Sequence, residues 1–204
     1  MSDVLVGAFG IVCGVLLVSG AFKVLQPGGV TGAVGSLGFE APRWIGRLLG
    51  LAEIGLGTAG LALSGWVWSG LVGSAYLLFG AAVIALIRRG GAESCGCFGE
   101  ITSPPSAIHV VFDLAAAAVA LGHAAAGGWP GAAEFAGDLG GQAIPFFGLV
   151  VVGVICSVAI LTLLPGVATA VRVAATEADA RHDRLHDHDQ GGAGLVQIET
   201  GGDR

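Results

Sequence analysis

The sequence predicts an all-α fold, a polytopic bundle of helices that cross a membrane. Hydrophobic residues make up 54% of the chain and charged residues 12%, and the mean hydropathy is +0.82. A soluble globular domain carries about 25% charged residues, so half that complement cannot cover a water-soluble domain. The apolar residues form long blocks without the period-2 alternation of membrane β-strands. This composition excludes a soluble enzyme.

Five apolar blocks each approach the length of about 20 residues that a helix needs to cross the hydrocarbon core. Only helices or closed barrels satisfy their backbone groups there, so the blocks are predicted to be transmembrane helices. They cover residues 4–25, 44–63, 66–87, 107–126 and 146–164. The predicted domains are a four-helix membrane domain at 1–126, a Gly-rich connection at 127–142, a fifth helix at 143–171 and a polar, disordered tail at 172–204.

The basic residues predict how the chain is oriented in the membrane. With five spans, all nine Lys and Arg residues fall on one side: two lie near the ends of the first and second spans, and the others lie in the loop between these spans or after the third or fifth span. Basic residues concentrate on the cytoplasmic side, whereas acidic residues contribute little to orientation. We therefore predict a multi-pass cell-membrane protein with its N-terminus outside and its C-terminus in the cytoplasm. The first block lacks a basic leader and a small-residue cleavage site, so we interpret it as a retained span rather than a signal peptide.

The reactive side chains lie in one loop, which reads Ser-Cys-Gly-Cys-Phe-Gly and places Cys95 and Cys97 on either side of a glycine. A disulfide within Cys-x-Cys closes a strained ring, and a strained disulfide is oxidising and exchanges readily. Arg88 and Arg89 are close in sequence and would favour a thiolate. The cysteines are thus a candidate catalytic pair. The alternatives are two unrelated small residues in a turn, or part of a zinc site to which His109 adds a ligand.

Four ionisable side chains lie within or beside the predicted spans: Lys23, Glu53, His109 and Asp113. At a rise of about 1.5 Å per residue, all four fall in the inner half of the bilayer, on the side of the cysteine loop. Charged side chains inside membranes face the bundle interior and usually pair. Lys23 with Glu53 is the predicted pair, with Asp113 as a competing partner. The alternative for Lys23 alone is that its ammonium group snorkels to the interface.

Other features have simpler interpretations. Cys13 and Cys156 lie mid-span and are interpreted as small buried apolar residues, the alternative being that they are partners of the loop cysteines. The glycines at 55–60 match a dinucleotide-binding pattern, but inside an apolar span they are predicted to be packing glycines. Three histidines of the tail form a weak metal-binding candidate: His182, His186 and His188. A solvated polar tail is the preferred interpretation, and we predict no bound metal and no cofactor.

Three segments of the chain carry a family resemblance. They are Ser19 to Lys23, Glu53 to Gly57, and the loop Cys95 to Gly99, which two prolines follow. In this combination they resemble the DoxX-like membrane proteins and, over residues 1–126, their MauE branch, the methylamine-utilisation membrane proteins. The fourth span departs from the family pattern at Phe112-Asp113, where an Arg-Asn pair is expected.

The resemblance implies a four-helix bundle in a bacterial inner membrane and a role in methylamine metabolism. In that role the family supports maturation of the disulfide-rich small subunit of methylamine dehydrogenase, an exported protein. It also implies a thioredoxin-like redox partner.

Taken together, these features predict an integral membrane thiol–disulfide redox protein, a candidate thiol–disulfide oxidoreductase acting through Cys95 and Cys97. Its predicted partners are the lipid bilayer, a thioredoxin-like protein and an exported disulfide-containing substrate, and not nucleic acid. Two alternatives stay open: a small-molecule or ion transporter using Lys23, Glu53 and Asp113, and a non-catalytic membrane scaffold. The predicted topology puts the cysteines at the cytoplasmic face although export maturation occurs outside. Either electrons cross the membrane or the topology is inverted, and no quinone or haem motif is visible.

Overall fold

The computed structural model describes residues 2–63, 65–90, 96, 98, 105–128 and 132–167. Its helices, numbered in chain order, are α1 (Ser2–Leu25), α2 (Gly28–Ser36), α3 (Arg43–Ala62), α4 (Trp66–Arg89), α5 (Ala107–Ala125), α6 (Ala132–Leu139) and α7 (residues 143–167), with a 3-10 turn at Gly140–Gln142. No strand occurs in these ranges, and the predicted all-α fold is confirmed.

Five helices in the described ranges are long and apolar enough to cross a membrane, as predicted. Four of them agree with the predicted blocks to within two residues at either end: Val4–Leu25, Arg43–Ala62, Trp66–Arg89 and Ala107–Ala125. The fifth, Gly137–Val167, is longer than the predicted block because helical geometry continues from α6 through the 3-10 turn into α7. The multi-pass character of the chain is therefore confirmed.

The segment between α1 and α3 contains a short helix that the hydropathy pattern does not predict. α2 has nine residues, four of them glycine, and glycine is among the poorest helix formers. Pro27 stands at its N-cap, where proline is tolerated because the first N–H groups of a helix have no intrahelical partner. At the other end, the Arg89 side chain donates a hydrogen bond to the Leu37 carbonyl oxygen. Contacts to its neighbours, and not its own propensity, therefore hold α2 in place.

The bundle is organised around α1. This helix packs along α3, α4 packs along α5, and contacts of α1 with α5 and of α3 with α4 join the two pairs. The main apolar core lies where these helices meet, and its buried residues are Phe9, Val12, Cys13, Leu16, Val72, Tyr76, Ala116, Ala117 and Ala120. The buried Tyr76 hydroxyl donates a hydrogen bond of 2.8 Å to the Val12 carbonyl oxygen, which satisfies its polar end in the interior.

Glycines bring α1 and α3 into backbone contact. A Cβ atom added at Gly50 would lie 2.6 Å from the Gly20 carbonyl oxygen, and one at Gly20 would lie 2.6 Å from that of Gly50. Further along α3, a Cβ at Gly57 or Gly60 would lie 3.0 Å from an atom of Cys13. Small residues at membrane-helix interfaces permit this close packing. The predicted packing role is confirmed for Gly57 and Gly60 and is wrong for Gly55, where an added Cβ would have no atom within 4 Å.

The last described helix, α7, lies on the outside of the bundle against α1. Three of its side chains lie against three α1 glycines: Phe146 against Gly7, Val150 against Gly10 and Val154 against Gly14. Only 6% of the most apolar stretch of this helix is buried inside the bundle. Its exposed face is rich in aliphatic side chains, which is the surface expected of a helix surrounded by lipid.

Candidate functional site

A buried ion pair joins α1 and α3. The Lys23 Nζ atom lies 2.7 and 2.8 Å from the two carboxylate oxygens of Glu53 and 2.7 Å from Ser19 Oγ. Ser19 Oγ in turn donates a hydrogen bond of 3.0 Å to Glu53 Oε2. Lys23 is 4% exposed and Glu53 is 3% exposed. The predicted pair is confirmed, and the alternative that Lys23 snorkels to the interface is wrong.

The ion pair uses the full donor capacity of the Lys23 ammonium group. A lysine carries three N–H donors and no acceptor, and three oxygen atoms of Glu53 and Ser19 surround Nζ. The ring of Phe79 adds a cation–π contact, with Nζ 5.2 Å from the ring centroid. A cation engaged in this way links two helices and has no N–H left over for a bound anion.

The local sequences of α1 and α3 explain how the pair forms. Ser19 and Lys23 are four residues apart and therefore lie on one face of α1. The backbone contact at Gly20 and Gly50 lies beside them, since a Cβ at Gly50 would come within 3.0 Å of Lys23 Cβ. Glu53 follows Gly50 by about one helical turn. The close crossing of the two helices thus brings the carboxylate within reach of the ammonium group.

A cavity of about 150 Å³ lies beside the ion pair. Its polar lining residues are Ser19, Lys23, Tyr76, His109 and Asp113. The rest of the lining is apolar and comes from α1 to α5, from Leu161 of α7, and from the loop residues Gly96 and Phe98. The cavity therefore brings together three of the predicted supporting residues and two residues of the cysteine loop.

His109 presents the most unusual polar group of this cavity. The side chain is 2% exposed, and its Nδ1 atom lies 2.9 Å from Ser106 Oγ, at the residue that precedes α5. Its Nε2 atom has no hydrogen-bond partner among the described residues. Asp113, the predicted competitor for Lys23, lies one turn further along α5 and lines the same cavity. Buried polar groups are normally hydrogen-bonded, so the orphaned Nε2 atom calls for an explanation.

The candidate catalytic residues Cys95 and Cys97 lie outside the described residues, but Gly96 between them and Phe98 after them are described. Gly96 has a φ of +68°, and a Cβ added there would lie 2.8 Å from the Gly29 carbonyl oxygen of α2. Phe98 is 3% exposed and packs in an apolar cluster with Val15 and Leu161. The described residues of the loop are therefore packed against the bundle.

The remaining predicted residues are dispersed. Arg89, in the last turn of α4 beside Arg88, donates to the end of α2, as described above. The tail histidines lie outside the described residues: His182, His186 and His188. Cys13 is a buried free thiol, as predicted, whereas Cys156 is free and exposed. The interpretation of Cys156 as a buried residue is wrong because the α7 face that carries it points away from α1.

Sequence reasoning missed three side chains that complete the site: Ser19, Phe79 and Ser106. Ser19 had a usable signal, since a hydroxyl four residues before a buried lysine lies on the same helix face. Ser106 also had one, since it immediately precedes α5 and lies three residues before His109. Phe79 had none, because its contact with Lys23 depends on how α4 faces α1. Sequence reasoning also missed a separate buried contact toward the other end of α5. There, His123 Nδ1 lies 3.0 Å from Ser69 Oγ and the ring stacks on Phe9.

These features define the class of the molecule as a multi-pass helical membrane protein with a buried ion pair and an internal cavity, which is lined in part by Gly96 and Phe98 of the cysteine loop. Residues 1–130 match the family model described as methylamine utilisation protein MauE, and the chain belongs to that family. The resemblance inferred from the sequence is thereby confirmed. No curated protein and no solved structure matches the chain.

Proposed function

We propose that this protein is a membrane thiol–disulfide redox protein of the MauE type, in which Cys95 and Cys97 cycle between dithiol and disulfide. The observation that carries the proposal is the packing of Gly96, which one peptide bond joins to each cysteine. Its left-handed φ and its contact with the α2 backbone both require glycine. This requirement supports a specific backbone conformation at Gly96, in the middle of the Cys-x-Cys sequence, rather than two unrelated small residues in a turn.

The chemistry of the proposal is thiol–disulfide exchange. A strained Cys-x-Cys disulfide favours the dithiol form and so accepts electrons readily. A substrate thiolate attacks one sulfur and forms a mixed disulfide, which the second substrate thiol then resolves. The substrate gains a disulfide, and Cys95 and Cys97 gain two electrons and two protons. Arg88, Arg89 and His109 are the proposed supporting residues that stabilise the thiolate form.

Family membership supports the proposed partners. MauE proteins are associated with methylamine utilisation, and the proposed partners are a thioredoxin-like protein and an exported disulfide-containing protein, with the small subunit of methylamine dehydrogenase as the family example. Because Phe112-Asp113 departs from the family pattern, the proposal extends to other exported disulfide-containing proteins.

The proposed orientation places the N-terminus outside and the C-terminus in the cytoplasm, in a bacterial cell membrane. The one-sided distribution of Lys and Arg supports it. The cysteine loop then lies at the cytoplasmic face, and electrons cross the membrane to reach an exported substrate. An inverted orientation would place the loop directly on the substrate side.

A transporter that uses Lys23, Glu53 and Asp113 is the second candidate function. Its support is that Lys23 and Asp113 line the same cavity. Against it, every N–H donor of Lys23 is already engaged by Glu53 and Ser19. Substitutions separate the candidates: Cys95→Ser abolishes a redox function and spares transport, whereas Glu53→Gln at retained folding abolishes transport. A non-catalytic scaffold would tolerate the cysteine substitution.

The direct test is a thiol-trapping titration of the purified protein in glutathione buffers of graded potential. The variant carries Cys13→Ala and Cys156→Ala, so that only the loop cysteines report. We expect a reversible loss of two hydrogens in mass, with the disulfide forming only in relatively oxidising buffers. The same protein with Cys97→Ser is the control and should show no such change. A pair that stays reduced even in strongly oxidising buffer would contradict the redox function.

A further inference from the structure

The cavity beside the ion pair has the size of a single aromatic ring. Its volume is about 150 Å³, and an apolar cavity of about 150 Å³ in a protein interior binds benzene. The rings of Tyr76, Phe79, Phe98 and Phe112 are among its lining. A flat, apolar ring therefore fits both the volume and the chemistry of most of the wall.

The Nε2 atom of His109 needs a hydrogen-bond partner, so a ring bound in the cavity should carry one polar group. The side chain is almost completely buried, and its Nε2 atom has no partner among the described residues. Ser106 Oγ lies at hydrogen-bond distance from Nδ1. When Ser106 donates to Nδ1, Nε2 carries the proton and donates to a carbonyl oxygen; in the other tautomer Nε2 accepts from a hydroxyl group. The imidazole can thus bind the carbonyl and the hydroxyl form of the same ligand.

We propose that this cavity binds the ring of a membrane-soluble quinone, with His109 Nε2 hydrogen-bonded to a ring oxygen, and that the quinone reoxidises the loop cysteines. The electron-transfer half of the proposal rests on the proposed redox function of the loop. The loop contributes two residues, Gly96 and Phe98, to the cavity wall, and Gly96 is bonded to both cysteines.

The reaction balances without any further reagent. Cys95 and Cys97 lose two S–H bonds and form one S–S bond, which releases two electrons and two protons. The two carbonyl oxygens of the quinone take up the two electrons and two protons and become the hydroxyl groups of a hydroquinone. His109 Nε2 is the proposed donor of one of the two protons and takes up one thiol proton in its place, and Asp113 lies one turn away in the same wall. A quinone also dissolves in the bilayer, the medium that surrounds membrane-spanning helices.

Binding is tested with duroquinone, whose fully substituted ring does not add thiols, and with durene, the same ring without carbonyl groups. Isothermal titration calorimetry in detergent compares the intact chain with His109→Leu, with His109→Gln, and with Ala33→Leu, which fills the cavity. Loss of one hydrogen bond should weaken duroquinone binding by about tenfold in His109→Leu. His109→Gln should restore part of the affinity, and durene binding should be unchanged in both, which shows that the cavity is intact.

The matched control is His123→Gln, a histidine of the same helix that does not line the cavity, and it should bind duroquinone normally. Ala33→Leu should weaken both ligands. No binding of duroquinone to the intact chain, or equal binding to the intact chain, His109→Leu and Ala33→Leu, would overturn the assignment of the cavity.

Electron transfer is tested separately on the reduced protein under anaerobic conditions. Duroquinone should be consumed one for one with the loss of two hydrogens from the loop cysteines, and Cys95→Ser should show neither change. If the pair cycles in glutathione buffers but bound duroquinone does not oxidise it, the quinone reaction is wrong and the redox function stands. If duroquinone binds through His109 but the pair never cycles, the redox function fails and the ligand assignment of the cavity stands.

Discussion

Removing one partner of the Lys23–Glu53 pair should destabilise the protein more than removing both. The two side chains are almost fully buried and make two contacts of 2.7 and 2.8 Å. Breaking a buried pair by deleting one partner costs about 3–5 kcal/mol, because the other charge stays behind, whereas an apolar replacement of both is often neutral. The relevant variants are Glu53→Gln, Lys23→Met and the double variant.

The contacts that remain in each single variant indicate where its loss of stability falls within this range of about 3–5 kcal/mol. In Glu53→Gln, Lys23 keeps Ser19 and gains an amide oxygen, so we expect a loss of about 3 kcal/mol in the free energy of unfolding. Lys23→Met removes three hydrogen bonds at once and leaves a carboxylate held by Ser19, so the loss should approach about 5 kcal/mol. The double variant carries no charge and should lose only about 1–2 kcal/mol. The coupling energy of the cycle, which is the sum of the two single losses minus the loss in the double variant, is then about 6–7 kcal/mol.

Equilibrium unfolding in mixed micelles, followed by far-UV circular dichroism, measures the four proteins. Arg47→Gln is the control, since Arg47 is an exposed charge on the same helix as Glu53, and it should change the stability by less than about 0.5 kcal/mol. If the single effects add to the double effect within about 0.5 kcal/mol, the two side chains are not coupled and the reasoning is refuted.

Three further predictions concern the helix crossing, the loop and the topology. Gly50→Ala should force α1 and α3 apart and lower the free energy of unfolding by about 1–3 kcal/mol. In the control Gly55→Ala the added methyl group projects into open space, so the stability should not change. Equal losses of stability in the two variants on thermal unfolding would contradict the close crossing. Gly96→Ala introduces a Cβ at a positive φ and against the α2 backbone. This should loosen the loop from the bundle, so maleimide should label the loop cysteines faster. An unchanged labelling rate would mean that Gly96 does not hold the loop against α2. Single-cysteine labelling at Ser2 and Gly201 should find the first outside and the second in the cytoplasm, and labelling of both from one side would rule out five spans.

The elements that could be predicted from the sequence are those fixed by the membrane itself. Hydrocarbon requires about 20 apolar residues per helix, so the span positions follow from composition along the chain. An unpaired charge in that region costs about 2.5–3.5 kcal/mol, so a deep Glu53 calls for a cation, and Lys23, near the C-terminal end of the first predicted span, is the natural partner. Both predictions depend on a penalty that acts on single residues, without knowledge of how the helices pack.

The elements that could not be predicted depend on which helix faces meet. In a membrane both faces of a helix are apolar, so hydropathy does not say that α7 turns Val154 to α1 and Cys156 to the outside. The Gly-rich α2 gives no helical signal because its stability comes from contacts such as the one between Arg89 and Leu37. The cavity is the least predictable feature, because it arises only when residues of several helices and the loop come together.

The closed ion pair also bears on which candidate function the molecule performs. A transporter that binds its solute at Lys23 must break contacts to Glu53 and Ser19 in every cycle, and must offset a penalty of several kcal/mol for each uncompensated buried ion. A redox protein requires no such opening, since the proposed electron path runs from the cysteine loop to a quinone bound at His109 and leaves the pair intact. In that function the ion pair fixes α1 against α3 and so sets the wall of the cavity. A folded Lys23→Met/Glu53→Gln protein should therefore still oxidise its loop cysteines with duroquinone, but should need more duroquinone to do so because Lys23 lines the cavity. Complete loss of that activity at full stability would mean that Lys23 and Glu53 take part in the reaction itself.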